Sequence, residues 1–215
     1  MLLESERKKI VEFGKKLVTC NLTHGTGGNL SIANRRRKLV AISPSGIEYL
    51  KTKPDDVVVT DMTGNTVDGR RKPSSEINFH LALYDVRPDI QAVVHTHSVY
   101  ATTIACLGSE LPAVHYMVGV CGNKVPLAPY ATYGSKELAR IAAEAIGSYN
   151  AVLLANHGLI TVGTDIGAAF ACAEAVEFVA RIYCQAKTLG EPVVLSDQEM
   201  DTVIAKFKTY GQSQK

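Results

Sequence analysis

Apolar residues recur along the chain with two distinct periods. Over residues 2–20, Leu3, Ile10, Val11, Leu17 and Val18 fall roughly on one side at helical spacing, which predicts an amphipathic helix. Short β-branched runs at 29–33, 38–43 and 57–60 read as strands, separated by turn signals such as "SPSG" and "MTGN". Residues 73–86, "PSSEINFHLALYDV", read as a helix opened by Pro and Ser, and "AVVHT" at 92–96 as a strand with a helix across 98–107 after it. A helix from Ser135 to Gly147 precedes "AVLLANHGLITVG" at 151–163, which divides into strand, break and strand. Residues 164–190 form a long helical stretch capped by Thr164 and ended by Gly190. A last helix, 196–211, begins with a Ser196–Glu199 capping box. No repeat, linker or low-complexity stretch interrupts this order, so the pattern predicts a single α/β domain over 1–215 with short strands and peripheral helices.

Composition narrows the class. The 215 residues are 46% hydrophobic and 20% charged, as in ordinary globular proteins, and a net charge of +2 argues against a sequence-independent hold on nucleic acid. The basic cluster Arg35, Arg36, Arg37 and Lys38 lies between two strand-like runs and reads as a solvated hairpin turn. No eighteen-residue apolar run and no apolar leader region are present, so neither a membrane span nor a secretory leader is expected. Cys20, Cys106, Cys121, Cys172 and Cys184 are odd in number, scattered and free of C-x-x-C, which suits free thiols in a reducing cytoplasm.

The chemistry gathers around three histidines and one glutamate. On a strand, residues i and i+2 share a face, so His95 and His97 in "VVHTH" aim both imidazoles at one point. Two such rings are half of a metal site, because zinc takes His nitrogen at about 2.0–2.1 Å and commonly three protein ligands when catalytic. Taken alone, the pair equally fits polar residues where a strand leaves a sheet. His157 likewise ends an apolar run, Ala151 to Ala155, and Gly158 after it suits a sharp turn that directs the ring inward. Glu76 falls in the first turn of a helix beside Ser74, Ser75 and free backbone N–H groups. His80, four residues on, reads as a packed or supporting residue, and His24 and His115 carry weaker signals.

Three small-residue turns offer places for an anion. "THGTGGN" (23–29) is neither a Walker loop nor a dinucleotide fingerprint, yet it supplies bare backbone N–H groups, the Thr26 hydroxyl and the Asn29 amide, with Gly28 allowing close approach. "SPSG" offers Ser45 and Gly46, and the helix start offers Ser74 and Ser75. Each also reads as a simple turn.

The motifs "GTGGNLS", "ISPSGIEY", "KPSSE", "VVHTHS", "PAVHYM", "APYATYG", "NHGLI" and "FKTYG" follow one another between residues 20 and 211, and in this order the chain resembles the class II aldolase/adducin family. The resemblance implies a three-layer α/β/α sandwich around a central, largely antiparallel sheet. It implies one Zn²⁺ per subunit on His95, His97 and His157, with Glu76 as fourth ligand and then acid/base, the metal stabilising an enediolate. It implies phosphate contacts from Thr26, Gly28, Asn29, Ser45, Gly46, Ser74 and Ser75, and roles for Tyr116 and Tyr210, Tyr116 in a neighbouring subunit's site. It further implies a cytoplasmic homotetramer with sites at subunit interfaces, acting on a small sugar phosphate, with neither nucleic acid nor membrane as partner. Within the family, "HYM" and "FKTYG" point to members that cleave L-fuculose 1-phosphate to dihydroxyacetone phosphate and L-lactaldehyde. Tyr133 and Asn156 depart from that pattern and bear on the aldehyde. The alternatives are cleavage of 5-deoxyribulose 1-phosphate, 4-epimerisation of L-ribulose 5-phosphate (whose enzymes lack the Glu after Ser-Ser) and a non-catalytic adducin-like assembly module. A Lys-based aldolase using Lys72 or Lys124 has no local support.

Overall fold

A computed structural model describes residues 1–207 and 209. The predicted elements form where the periodicities place them: α1 (Glu4–Thr19), β1 (Asn29–Asn34), β2 (Leu39–Ile42), β3 (Val58–Asp61), α2 (Ile77–Val86), β5 (Ala92–Thr96), α3 (Val99–Cys106), α4 (Lys136–Ile146), β7 (Ala151–Leu154), β8 (Gly158–Gly163), α5 (Ile166–Leu189) and α6 (Asp197–Phe207). Two short strands, β4 (Thr66–Asp68) and β6 (Leu127–Ala128), complete the sheet and were not expected. Among the described residues its order is β4-β3-β2-β1-β5-β8-β7-β6, antiparallel throughout except for the parallel pair β6–β7.

Alternation along each strand sorts the core into two layers. Leu30, Ile32, Ala92, Val94, Leu153 and Leu159 pack with α1, α3 and α5 on one face of the sheet. Val40, Val93, Val152, Ile160 and Val162 pack with α2 and α4 on the other. The result is the expected α/β/α sandwich. Val94, Leu153 and Ile160 are fully buried, each contributing about 1.5–3 kcal/mol. Because Val93 faces α2, so does His95, two residues later.

Several local expectations change. α2 starts at Ile77, not at Pro73: residues 73–76 form a turn, and Glu76 occupies the cap position without using its own side chain as a cap. Asp165, not Thr164, caps α5, its carboxylate accepting the Ala168 N–H at 2.9 Å. α6 reaches Phe207 among the described residues, and the Ser196 hydroxyl accepts the Glu199 N–H at 3.2 Å, one of the two bonds of the expected capping box. Arg35 is not merely solvated; its guanidinium donates to the carbonyls of Tyr84, Arg87 and Ile90, tying the β1–β2 turn to the end of α2. The free-thiol reading also fails for one pair. Cys121 and Cys172 are joined as a disulfide, with Cα atoms 6.0 Å apart. A separation of 51 residues hid the pairing, which arises where the 116–120 turn packs against α5.

Candidate metal centre and active site

β5 and β7 run in the same direction with β8 between them, so both C-terminal ends open on one edge of the sheet. His95 is the fourth residue of β5, His97 follows its end, and His157 sits in the three-residue link between β7 and β8. In that link Asn156, not Gly158, takes the left-handed conformation, with φ +55°. Asn tolerates this region because its short amide bonds locally. Gly158 serves a different need. A side chain there would press on the Thr96 carbonyl and come within about 3.0 Å of the His97 ring. The glycine after His157 thus makes room for the other two imidazoles.

α2 brings Glu76 to the same edge. Its carboxylate Oε2 lies 3.3 Å from His95 Nε2, and Oε1 lies 3.3 Å from His157 Nε2. His95 Nε2 and His97 Nε2 are 3.0 Å apart, and all four donor atoms lie within 4.8 Å of one another. Ligands of a tetrahedral zinc ion with bonds of about 2.0–2.1 Å would stand about 3.3 Å apart, so the spacing fits a small divalent cation. The protonation pattern fits as well. His95 Nδ1 donates to the Leu159 carbonyl at 2.9 Å, which fixes the tautomer and leaves Nε2 as a lone pair aimed at the cluster. Glu76 Oε1 is buried and has no hydrogen-bond partner among the described residues, as a displaceable ligand oxygen would be. The quartet can therefore hold a metal ion.

Burial sets the electrostatics. It pushes His95 well below the usual imidazole range, reinforced by the neighbouring His97 and His157 rings, and it lowers His97 too. It also lowers His157, against the opposing pull of the Glu76 carboxylate. It raises Glu76, against His157 and the Asn29 amide. Neutral imidazoles are ligands, and a carboxyl with a raised pKa is suited to carry a proton.

The expected anion turns meet beside this cluster. A β-bridge joins Pro44 to Pro73, with Ser45 N–H donating to Lys72 O (3.0 Å) and Ser74 N–H to Ser43 O (3.1 Å). Ser45 and Ser74 thus spend their backbone N–H groups on the bridge. Ser45, Gly46 and Ser75 are exposed, whereas Ser74 is buried and its hydroxyl accepts the Glu76 N–H at 3.2 Å. Thr26 is exposed on the glycine loop. Gly28 has φ +70°, and a Cβ there would lie 2.5 Å from the His95 carbonyl, so the loop can lie against β5 only with glycine at this place. Tyr49, buried and with its phenol pKa raised by that burial, ties the loop to the "SPSG" segment by donating to Gly28 O at 2.7 Å. Asn29 turns its amide inward, donating to Glu76 Oε2 at 2.8 Å and contacting His80 Nε2 through Oδ1 at 2.5 Å.

Other expected residues lie apart. Tyr116 is half exposed and lines an apolar cleft of about 730 Å³ with Met117, Val120, Val203 and Phe207, a cleft that includes no member of the histidine cluster. His115 accepts the Met117 N–H at the head of that turn, and His24 is exposed. Tyr133 is exposed, on the turn whose Gly134 carbonyl accepts from Asn78 of α2. Tyr210 lies outside the described residues. Sequence reasoning missed Tyr49, whose only signal was its position inside the "SPSGIEY" motif, whereas His80 is buried among supporting contacts as expected.

Residues 8–184 match the family described as the class II aldolase and adducin N-terminal domain. A 5-deoxy-D-ribulose 1-phosphate aldolase of Bacillus thuringiensis serovar kurstaki is 54% identical over 212 residues, covering 99% of this chain and all of its own. An L-fuculose phosphate aldolase of Escherichia coli K12 is 40% identical over 206 residues, covering 95% and 94%. The solved structure of an L-fuculose 1-phosphate aldolase superposes with a TM-score of 0.93 at 51% identity, covering 95% and 96%. The expectation of L-fuculose 1-phosphate as substrate is corrected by the first of these. Over the full length the deoxyribulose-phosphate enzyme is the nearer relative, by 54% against 40%. "HYM" and "FKTYG" therefore do not by themselves single out L-fuculose 1-phosphate as the substrate. With its extent of match, its sheet and its donor quartet all in agreement, the chain belongs to the class II aldolase and adducin family.

Proposed function

We propose that this chain is a divalent-metal-dependent aldolase that cleaves 5-deoxyribulose 1-phosphate between C3 and C4, giving dihydroxyacetone phosphate and acetaldehyde. The observation that carries the reading is the quartet Glu76, His95, His97 and His157, whose donor atoms lie within 4.8 Å of one another, in a chain 54% identical end to end to an aldolase of that substrate. A Zn²⁺ ion bound by the three histidines supplies Lewis acidity for the charge that develops on the ketone oxygen when the bond breaks. Glu76 moves the proton at C3 through Oε1, the oxygen without a partner among the described residues. Thr26, Gly28, Ser45, Gly46, Ser74 and Ser75 hold the phosphate with neutral donors, fixing the ketose in register, whereas Asn29, expected among them, turns its amide to Glu76 and His80. Tyr116 takes the C4 hydroxyl proton in the site of a neighbouring subunit of a homotetramer, which accords with its place in a cleft separate from its own cluster. Retention of all four donors speaks against a purely structural, adducin-like role.

The test is a substrate comparison. Purified zinc-loaded protein is incubated with 5-deoxyribulose 1-phosphate, L-fuculose 1-phosphate and L-ribulose 5-phosphate, and products are identified. A kcat/KM for the first at least about tenfold above the others is expected, a difference of about 1.4 kcal/mol in transition-state binding. A preference for either competitor, or no dihydroxyacetone phosphate from the first, overturns the reading.

A further inference from the structure

A hydrogen-bonded chain runs behind the candidate acid/base into the core. Tyr84 Oη lies 2.7 Å from Ser31 Oγ, Ser31 Oγ 2.7 Å from His80 Nδ1, His80 Nε2 2.5 Å from Asn29 Oδ1, and Asn29 Nδ2 2.8 Å from Glu76 Oε2. β1 supplies Asn29 and Ser31, which share a strand face by their i, i+2 spacing; α2 supplies His80 and Tyr84, on one helix face by their i, i+4 spacing, and Glu76 sits at its cap position four residues before His80. Asn29, Ser31, His80 and Tyr84 are each at most 3% exposed. Burying four polar side chains in the layer between sheet and helix is costly unless every one is paired, so the chain has a role that simple packing does not require.

Each contact admits one direction once the Asn29 amide nitrogen faces Glu76 Oε2. Its oxygen then faces His80, so Nε2 must carry the ring hydrogen. The ring is fully buried and neutral, its pKa pushed down to about 3 by desolvation, and a neutral ring carries only one hydrogen. Nδ1 is therefore an acceptor, the Ser31 hydroxyl donates to it, and the Tyr84 hydroxyl donates to Ser31. With Glu76 ionised, as a metal ligand is, the other tautomer would reverse the amide and set its oxygen 2.8 Å from a carboxylate oxygen, two acceptors face to face.

We propose that His80, held as the Nε2–H tautomer by Ser31 and Tyr84, is a positioning residue that locks the Asn29 amide so that its N–H anchors Glu76 Oε2 and leaves Oε1 as the oxygen that exchanges the substrate proton. The inference rests on the aldolase reading for its turnover measurements but not for its tautomer.

Two measurements test it on the zinc-loaded protein. Two-bond ¹⁵N–¹H correlation of the histidine rings, with the His80 signals assigned by their loss in His80→Gln, is expected to show Nε2 protonated and Nδ1 bare. The reverse tautomer overturns the proposal. In kinetics with 5-deoxyribulose 1-phosphate, or whichever ketose phosphate the wild type cleaves, His80→Phe keeps the ring volume and the stack on Phe79 but none of the hydrogen bonds. Its kcat is expected to fall about 10- to 100-fold, as for outer residues of metal sites, with KM within about twofold and zinc retained. His80→Gln, which can again offer an N–H to Asn29, is expected to recover at least about half of that loss on a logarithmic scale. Unchanged kcat in His80→Phe, loss confined to KM or to zinc content, or no advantage of Gln over Phe overturns the proposal. Should His80→Phe not fold, Ser31→Ala decides. It removes only the hydroxyl that fixes Nδ1, and an unchanged tautomer together with unchanged kcat overturns the proposal. If the wild type cleaves no ketose phosphate, the functional reading fails, while the ring spectra still decide the tautomer.

Discussion

At the residue scale, the site is a set of groups whose surroundings give each a different task. His95 surrenders Nδ1–H to a backbone carbonyl and so presents a bare Nε2, whereas Glu76 keeps one oxygen anchored and one free. Removing a ligand should differ from removing the acid. His95→Ala or His157→Ala should lose bound zinc on dialysis, read by metal analysis, because each removes one of the three imidazoles and leaves a gap in the four-donor cluster. Glu76→Gln should keep close to one zinc per chain while kcat falls about 10²- to 10⁴-fold. Full zinc occupancy in the alanine variants would refute the ligand assignment. His80 gives a pH prediction of defined sign. Its folded pKa of about 3 lies below the unfolded value of about 6.5, so between those limits the unfolded chain binds the extra proton. Stability from this residue therefore falls as pH drops through the window, by about 1.4 kcal/mol per pH unit. Urea midpoints from pH 6 to 4.5 should decline less steeply in His80→Gln than in the wild type. Parallel slopes would mean the buried ring titrates normally.

At the element scale, the joints between secondary structures place the ligands. α3 begins two residues after His97, and the Ser98 side chain makes no cap to its N-terminus. Instead the Glu177 carboxylate of α5 accepts the N–H groups of Tyr100 and Ala101, both at 2.9 Å. Glu177→Ala should cost about 1–2 kcal/mol in urea unfolding, and Glu177→Gln, which keeps one acceptor, less than that. An alanine variant as stable as the wild type would show that water caps the helix equally well. These joints also mark what the sequence could and could not disclose. β5 was legible because Val93, Val94 and Thr96 are β-branched in a run too short for a helix, and the strand is buried along its whole length. The shared face of His95 and His97 followed from the strand period alone. β4 and β6 were invisible, since "TVD" is largely exposed and "LA" is two residues long, and both exist only by pairing with a formed neighbour. The turn before α2 read as helix because Pro and Ser favour helix starts, yet the Pro44–Pro73 bridge pulls those residues onto another loop. Long-range partners such as Arg7 with Asp68, or Cys121 with Cys172, leave no local signal at all.

At the scale of the whole molecule, the unresolved relation is between two places on one chain. The metal quartet opens on the edge of the sheet where β5 and β7 end, whereas Tyr116 lies on the 116–120 turn, in an apolar cleft against α6. That turn is tied to α5 by the Cys121–Cys172 disulfide, so Tyr116 is carried on a fixed support. If it serves a neighbour's quartet, the two functions are separable between subunits. Glu76→Gln and Tyr116→Phe should each be impaired alone. Co-expressed in equal amounts, they should form mixed assemblies in which about a quarter of sites pair an intact Glu76 with an intact Tyr116 from the adjacent subunit. Activity should then rise towards about a quarter of the wild type, well above the mean of the two parents. If Tyr116 acted within its own subunit, every site would still lack one of the two groups, and mixing would give no more than that mean. Light scattering of the same preparation states whether an assembly exists to be mixed. A monomer with wild-type turnover would remove the intersubunit role at once.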